Sequence, residues 1–243
     1  MVKDQGDAIL KKRRFYKQTG IVEKDGMFLP ALDGRVLKTP TGAALCLGAR
    51  PLAEAIAQEW QDQGDIIRPH TMPLMQLAGT AIDRIAPRQS EVVAELVRHA
   101  ETDLLCYRAD EPVDLAERQA RFWQPITDWA TARFDVGFVI VSGLMPASQP
   151  AATLERLGAW LGARDAFRLA GIHLASASMG SLLLAIALAE GRLSADEAFA
   201  ASQLDETFQI ERWGEDEEAS RRRAVLRGDV AAAHRLLTLL GPA

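Results

Sequence analysis

The stretch LAGIHLASASMGSLLLAIALA, from Leu169 to Ala189, contains no aspartate, glutamate, lysine or arginine. A helix of about 20 apolar residues is long enough to cross a bilayer. This stretch, however, includes a histidine, several serines and two glycines, and few of its first twelve residues are strongly apolar. A helix that is apolar on all sides belongs in the centre of a helical domain. We therefore predict one buried core helix, or two consecutive ones, and no membrane insertion. Peripheral attachment to a membrane remains an alternative.

The residues before this stretch divide into β structure followed by helices. Between Phe15 and Gly48, short apolar runs are separated by the turn pairs Asp25-Gly26 and Asp33-Gly34, which favour tight hairpins. From Pro51 onward, apolar residues recur at helical spacing. The predicted fold class is therefore α+β, with a small N-terminal antiparallel β domain over residues 1–50 and a larger, mostly α-helical domain over residues 51–243. The predicted strands are Ile21-Val22, Met27–Leu29, Val36-Leu37 and Ala44–Leu47.

Three local signals make further predictions for the helical part. Pro125 predicts a kink or a new start in the helix that contains it, because proline removes a backbone hydrogen bond. The β-branched and aromatic run from Val136 to Val141 predicts one more strand or an extended crossover. Gly228-Asp229 predicts the start of a last helix, which ends near Leu240.

The composition excludes several classes of protein. The chain has 243 residues, 48% of them apolar and 25% charged, which is typical of a globular protein, and its formal net charge is -5. This charge does not favour a sequence-independent grip on nucleic acid. Cys46 and Cys106 lie far apart in the sequence and match no metal spacing, which suits a reducing compartment. The N-terminal segment, with Asp4 and Asp7 and no long apolar run, resembles neither a secretory signal nor an organelle presequence. We expect a cytoplasmic protein.

A second unusual stretch is LDETFQIERWGEDEE, from Leu204 to Glu218, which crowds acid, amide and aromatic groups together. On a helix, Asp205, Gln209 and Trp213 share one face, and Glu206 lies on the neighbouring face. A tryptophan with polar groups beside it is typical of the residues that dominate protein interfaces. The stretch therefore indicates a surface for binding another protein.

The same stretch allows two other interpretations. Phe208, Ile210 and Trp213 could simply dock the helix on the core, since aromatic stripes on helices are usually buried. Asp205 and Glu206 could perform acid–base catalysis in an unrecognised hydrolase or lyase. Adjacent helix positions point about 100° apart, however, so these two carboxylates are poorly placed to share a proton. After Gly214, a pair of glutamates precedes a pair of arginines by four residues, which predicts the ion pairs Glu217–Arg221 and Glu218–Arg222.

Motifs of catalysis and cofactor binding do not occur in the sequence. It has no P-loop, no Gly-x-Gly-x-x-Gly after a strand, no His-Glu-x-x-His and no Gly-x-Ser-x-Gly. The histidines show no ligand spacing; they are His70, His99, His173 and His234. We therefore predict no catalytic residue, no metal and no cofactor, and we favour a binding protein over an enzyme.

Four segments, in order, resemble the F1 ATP synthase assembly chaperones of the α-subunit-binding type, the mitochondrial assembly factor 2-like family. They are EWQDQ (59–63), ETDLLCYR (101–108), WQPITDWATARF (123–134) and LDETFQIERWG (204–214). The resemblance covers roughly residues 15–240. It implies a β domain followed by a helical domain, no catalysis, and binding of the unassembled F1 α subunit until the β subunit replaces it. The chain lacks an organelle presequence, which implies a bacterial member.

The resemblance also implies a set of client-binding residues. The functionally important acid of the family lies in the LDETFQ segment and maps to Glu206, with Asp205 as the second choice. Trp60 is the aromatic residue of the EWQDQ motif, and Asp103, Gln209 and Trp213 lie in the other matching motifs. Trp60 also has Ile56 four residues before it, so a purely structural role in the core is the competing interpretation. No heptad pattern suggests a coiled coil, and we expect a monomer.

Overall fold

The computed structural model describes residues 13–143 and 147–241. Its first unit is a three-stranded antiparallel sheet in the order β1-β2-β3, formed by β1 (Thr19–Lys24), β2 (Met27–Leu32) and β3 (Arg35–Val36). The two hairpin turns fall at Asp25-Gly26 and Asp33-Gly34, and all four residues have positive φ. This is the backbone geometry that the turn pairs favour. The predicted antiparallel β unit is confirmed.

The predicted strand Ala44–Leu47 is wrong, because these residues form only isolated bridges. Leu47 pairs with Phe28 and Ala44 pairs with Lys38. Between these two bridges, the Cys46 N–H donates to the Ala44 carbonyl at 3.0 Å. This local turn interrupts the ladder that a continuous strand would need.

The remainder of the described chain is mostly helical. Two short strands, β4 (Tyr107–Arg108) and β5 (Val141–Ser142), pair in parallel within it. The segment before β5, residues 136–140, crosses over in extended form without joining a sheet. The α-helices in chain order are α1 (Arg50–Gln61), α2 (Pro73–Thr80), α3 (Gln89–Glu101), α4 (Val113–Phe134), α5 (Ala151–Gly162), α6 (Ala166–Met179), α7 (Leu182–Ala189), α8 (Ala195–Ser202), α9 (Leu204–Trp213) and α10 (Glu217–Leu239).

Neither Pro125, where a kink or a new start is predicted, nor Gly228-Asp229 begins a new helix. Helix α4 continues through Pro125, and α10 continues through Gly228, so the predicted cap at Gly228-Asp229 is wrong. A glycine inside a helix costs only about 1 kcal/mol, which tertiary packing readily offsets. In α10 that packing is against α6, and Asp229 is held by a hydrogen bond from Ser178.

Helices α6 and α7 form the centre of the molecule and account for the uncharged stretch. Gly180 ends α6 with φ of 64°, and the Ser181 hydroxyl caps α7 by accepting from the Leu184 N–H at 3.0 Å. Every residue from Leu182 to Leu188 is buried. The prediction of two consecutive core helices is confirmed. Within the described ranges, no helix is both long and apolar enough to cross a membrane.

One hydrophobic core connects the sheet with the helices. Buried leucines of the β unit, such as Leu32 and Leu45, belong to the same cluster as the buried residues of α6 and α7. The change from strand to helix occurs at Arg50, where α1 begins. The division into domains 1–50 and 51–243 remains a prediction, and the two parts share their interior.

Candidate functional site

Helix α9 (Leu204–Trp213) lies on the surface between α4 and α10. Only Leu204 and Phe208 of this helix are buried. Two guanidinium groups lie near the Phe208 ring, with Arg212 Cζ 4.3 Å and Arg118 Cζ 5.4 Å from its centroid. A cation over an aromatic face contributes about 0.5–1 kcal/mol at an exposed site. The buried side chains of Leu204 and Phe208, with two cations near the Phe208 ring, therefore dock the helix.

Polar pairs attach α9 to α4. The Gln119 amide donates to Asp205 Oδ1 at 2.7 Å, and Arg118 Nη1 lies 2.8 Å from Glu211 Oε2. Arg212 pairs with Asp114 in the first turn of α4. These ion pairs are partly exposed, so each contributes about 1 kcal/mol or less. The sequence pattern does not identify Gln119 as a contact of α9. Its Oε1 also accepts from the Ala109 N–H at 2.8 Å, which links α9 to the residue after the DLLCYR segment.

On its other side, α9 is attached to α10. Arg222 Nη2 lies 3.2 Å from both carboxylate oxygens of Glu206, and Arg223 Nη2 donates to Thr207 Oγ1 at 3.2 Å. The predicted pair Glu218–Arg222 is therefore wrong, because Arg222 turns toward α9. The predicted pair Glu217–Arg221 is confirmed, at 2.6 Å.

The two adjacent acids of α9 point to different neighbours. Asp205 faces α4, and burial raises its pKa while the hydrogen bond from Gln119 opposes that shift. Glu206 faces α10 and keeps 29% of its side chain exposed. The two carboxylates do not converge on one space, so the geometry does not favour the hydrolase or lyase interpretation. Within the described residues, no group of histidine, cysteine or acidic side chains could hold a metal ion.

Trp213 ends α9 and is 75% exposed. Gly214 follows it with φ of 85°, and its N–H donates to the Ile210 carbonyl, so the chain turns away directly after the indole. The interpretation that the aromatic residues of α9 dock on the core is thus correct for Phe208 and wrong for Trp213. Gln209 is also exposed. The structure brings Asp205, Glu206, Gln209 and Trp213 together on one surface helix.

Trp60 lies in a different part of the molecule, on α1 beside the sheet. Its indole is partly buried and packs edge-to-face on Tyr16 with 5.7 Å between ring centroids. The Tyr16 hydroxyl donates to the Trp60 carbonyl at 2.6 Å. The indole Nε1 is buried and has no acceptor in the described part of the chain. Two arginines of α10 relate these regions to each other. Arg222 contacts α9, whereas Arg235 acts electrostatically on Glu59 of α1. Thirteen helical residues span about 20 Å, so Trp60 and Trp213 lie near opposite ends of α10.

Asp103 is completely buried, far from any surface for a client. Its carboxylate accepts from the Ser181 hydroxyl at 2.8 Å and from the backbone N–H groups of Leu105 and Leu183 at 3.0 and 2.9 Å. Burial raises the pKa of Asp103 to about 6, although these hydrogen bonds oppose the shift. Asp103 thus holds the start of α7 against the end of α3, and the structure does not place it with the α9 residues.

Glu59 and Trp123, which also lie in the matching motifs, are likewise part of the framework. Glu59 accepts from the Leu74 and Met75 N–H groups, both at 2.9 Å, at the start of α2. Trp123 is fully buried, and its Nε1 donates to the Ala201 carbonyl at 2.9 Å. These buried motif residues therefore stabilise the fold, whereas the exposed residues of α9 remain accessible for binding.

An exposed tryptophan on a surface helix that is attached by ion pairs is typical of a protein-binding surface. Comparison with known proteins agrees with this class. The crystal structure of Atp12 from Paracoccus denitrificans superposes with a TM-score of 0.90 at 39% identity, covering 94% of this chain and 98% of that chain. An aspartate-to-lysine variant of P. denitrificans Atp12p gives the same TM-score at 38% identity, covering 94% and 97%.

Sequence comparison gives the same result. The model of the ATP12 chaperone protein family matches residues 13–131. The mitochondrial atp12 protein of Schizosaccharomyces pombe is 28% identical over an alignment of 219 residues, which covers 85% of this chain and 75% of that protein. The molecule is thus a chaperone by class, and it belongs to the ATP12 chaperone family.

Proposed function

We propose that this chain is an assembly chaperone for F1 ATP synthase in the bacterial cytoplasm. It binds the unassembled α subunit and shields the subunit interface until the β subunit replaces it. Family membership and the four matching motifs support this function, and the observation that carries it is the 75% exposed Trp213 at the end of α9.

A client of this kind requires both an apolar patch and a polar rim. A lone α subunit exposes the apolar surface that its neighbour normally covers, and such obligate surfaces aggregate when they stay wet. Trp213, with 75% of its surface exposed, offers an apolar group for such a contact. The surrounding ion pairs keep the contact reversible, since interfaces with polar rims release more readily than a continuous apolar face.

Glu206 supplies an exchangeable charge in this surface. Its present partner, Arg222, is 66% exposed, so the pair is open to solvent and weak. A cationic side chain of the client competes with Arg222 for the carboxylate and thereby sets the register of binding. This role needs Glu206 on the surface and needs no deep pocket.

Co-expression with the α subunit tests the proposal. We expect wild-type chain to increase the soluble α subunit, and Trp213→Ala to weaken binding by about 2 kcal/mol or more, as loss of an interface anchor does. Glu206→Lys should also reduce recovery while the circular dichroism spectrum stays unchanged. Val225→Ala is the control for loss of an exposed apolar side chain, because Val225 is 64% exposed and lies on α10.

Two outcomes would contradict the proposal. If wild-type chain leaves the α subunit insoluble, the client is wrong. If Glu206→Lys unfolds the chain, the acid is a structural residue, and its loss of binding says nothing about the client.

A further inference from the structure

A groove with a volume of about 1270 Å³ lies between the β unit and α2, beside the end of α1. Its lining includes two methionines, Met72 and Met75, together with Leu37 and Ile67. Methionine adapts its shape to varied apolar neighbours, so such a lining can receive another apolar side chain. Trp60, one of the predicted client-binding residues, lines the same groove.

The described chain starts at the margin of this groove. Its first residue, Arg13, forms an antiparallel bridge with Ile66, and the Arg14 N–H donates to the Asp65 carbonyl at 2.9 Å. The Arg14 guanidinium also donates to the Gln63 carbonyl at 2.5 Å. The residues before Arg13, which we call the N-terminal segment (1–12), therefore leave a fixed point in a fixed direction.

The direction of the bridge leads along the groove. In an antiparallel ladder, each step back along one strand is a step forward along the other. Continuing from the bridge brings Lys12 beside Ile67 and Leu10 beside Pro69. Ile67 and Pro69 both line the groove, so the chain direction alone places Leu10 at its edge.

The strand that would receive the segment has the required shape. Arg68 is extended, with φ of -116° and ψ of 92°. Its N–H donates to Gln63 Oε1 at 2.7 Å. Neighbouring N–H groups of an extended strand point to opposite edges, so the Ile67 N–H points to the edge at which Arg13 pairs.

Side-chain alternation decides which residue of the segment enters the groove. Ile67 and Pro69 belong to the lining, whereas Arg68 between them does not. Residues paired across a ladder project on the same side, and successive residues project on opposite sides. Leu10 therefore faces the groove, and Ile9 faces away from it.

We propose that the N-terminal segment folds back along residues 66–69 and buries the Leu10 side chain in this groove of its own chain. The Lys12 carbonyl accepts from the Ile67 N–H. The ladder ends at Pro69, because proline has no N–H to donate.

The covalent connection selects this occupant over a separate molecule. Two residues separate Leu10 from the anchored Arg13, so Leu10 stays within about 10 Å of the bridge. A short link of this kind holds a segment at a local concentration on the order of millimolar, so a single apolar contact is enough to populate the closed form. The segment thereby competes with any apolar group that approaches Trp60. The inference goes beyond the proposed function and does not depend on it.

Disulfide trapping in the full chain tests the register. Paired residues of antiparallel strands have Cα atoms about 5.5 Å apart or closer, which suits a disulfide. Leu10→Cys with Pro69→Cys is compared with Ile9→Cys with Pro69→Cys, both in a Cys46→Ser background, while Cys106 is buried and is retained. Under mild oxidation, we expect the Leu10 pair to cross-link within one chain at least about tenfold faster than the Ile9 pair. Equal rates would overturn the register, and a disulfide between two chains would assign the groove to a second copy.

Dye binding tests the burial of Leu10 without a substitution in the groove. The dye ANS reports exposed apolar surface. We expect Leu10→Asp to raise ANS fluorescence at least about twofold, because a carboxylate is not stable in an apolar groove. Ile9→Asp is the matched control, since it adds the same charge one position away, and it should leave the fluorescence unchanged. A rise of equal size in both variants, or in neither, would overturn the proposal. Neither measurement involves the α subunit, so failure here leaves the proposed function intact.

Discussion

Helices α7 and α9 have similar lengths but opposite chemistry. Helix α7 is buried from Leu182 to Leu188 and carries no charge, whereas α9 buries only two side chains and is attached by ion pairs and amide hydrogen bonds. Burial of an average apolar side chain stabilises by about 1.5–3 kcal/mol, and a partly exposed ion pair by about 1 kcal/mol or less. The comparison separates α7, which is held by burial, from α9, whose polar groups stay accessible to a partner.

The largest expected effect is on the α7 side of this comparison. Asp103→Ala removes the acceptor of the Ser181 hydroxyl and of two backbone N–H groups, all of them buried. Each unsatisfied buried group costs about 1–3 kcal/mol, so we expect the free energy of unfolding to fall by about 4 kcal/mol. Urea unfolding followed by circular dichroism measures this. A loss below about 1 kcal/mol would mean that α7 does not need its cap.

A smaller loss is expected from the hydrophobic attachment of α9. Phe208→Ala removes a buried ring and the surface on which Arg118 and Arg212 lie. Such truncations cost about 3 kcal/mol in a closed core, and here we expect the loss to be concentrated in α9. Unfolding in urea gives the total, and amide exchange of residues 204–213 gives the local share. Uniform loss of protection over α7 and α9 would contradict the distinction between them.

The acidity of Asp103 gives a third test. The folded pKa of about 6 lies above the ordinary aspartate value of 3.8, so the folded state holds the proton more tightly than the unfolded state. The contribution of Asp103 to stability is therefore complete at low pH and is lost as the pH rises through about 6. Compared with Asp103→Asn, wild-type chain should lose about 2 kcal/mol of relative stability between about pH 4.5 and about pH 7.5. If wild-type chain instead gained stability relative to Asp103→Asn as the pH rises, burial could not be the dominant influence on the Asp103 pKa.

The smallest effect on stability is expected at the exposed pair of α9. Glu206→Gln breaks an ion pair with a largely exposed arginine, so thermal unfolding should show a change of about 0.5 kcal/mol or less. Recovery of the α subunit should nevertheless fall, because the charge is lost at the proposed contact. The double variant Glu206→Gln with Arg222→Gln serves as the control for stability. A substantial loss of stability in the single variant would show that Glu206, like Asp103, is a structural residue.

The sequence predicts those parts of the fold in which local chemistry leaves little choice. Aspartate-glycine pairs locate both hairpin turns, and the absence of charge locates α6 and α7. Gly228 misleads because packing of α10 on α6 outweighs the preference of a single glycine. Trp213 and Phe208 have the same helical pattern, and only tertiary structure decides which of them faces the core.

The candidate site follows the same division. The α9 residues are predictable as a group, since they share one short helix. The hydrogen-bond and ion-pair partners of the α9 residues are not predictable, because Arg222 and Gln119 lie on helices that the sequence does not place beside α9. Asp103 shows the opposite case. It lies in a recognisable motif, which predicts a client-binding residue, but its side chain is buried and stabilises the interior.

The attachment of α9 by exchangeable polar contacts has a kinetic consequence. Because two buried side chains hold this helix, releasing it exposes little apolar area and requires much less free energy than global unfolding. Its partners on α4 and α10 re-form whenever it closes, so α9 can lift and return many times while α7 stays protected. Under the proposed function, a client that binds α9 would contact an element able to adjust its position while the interior stays folded.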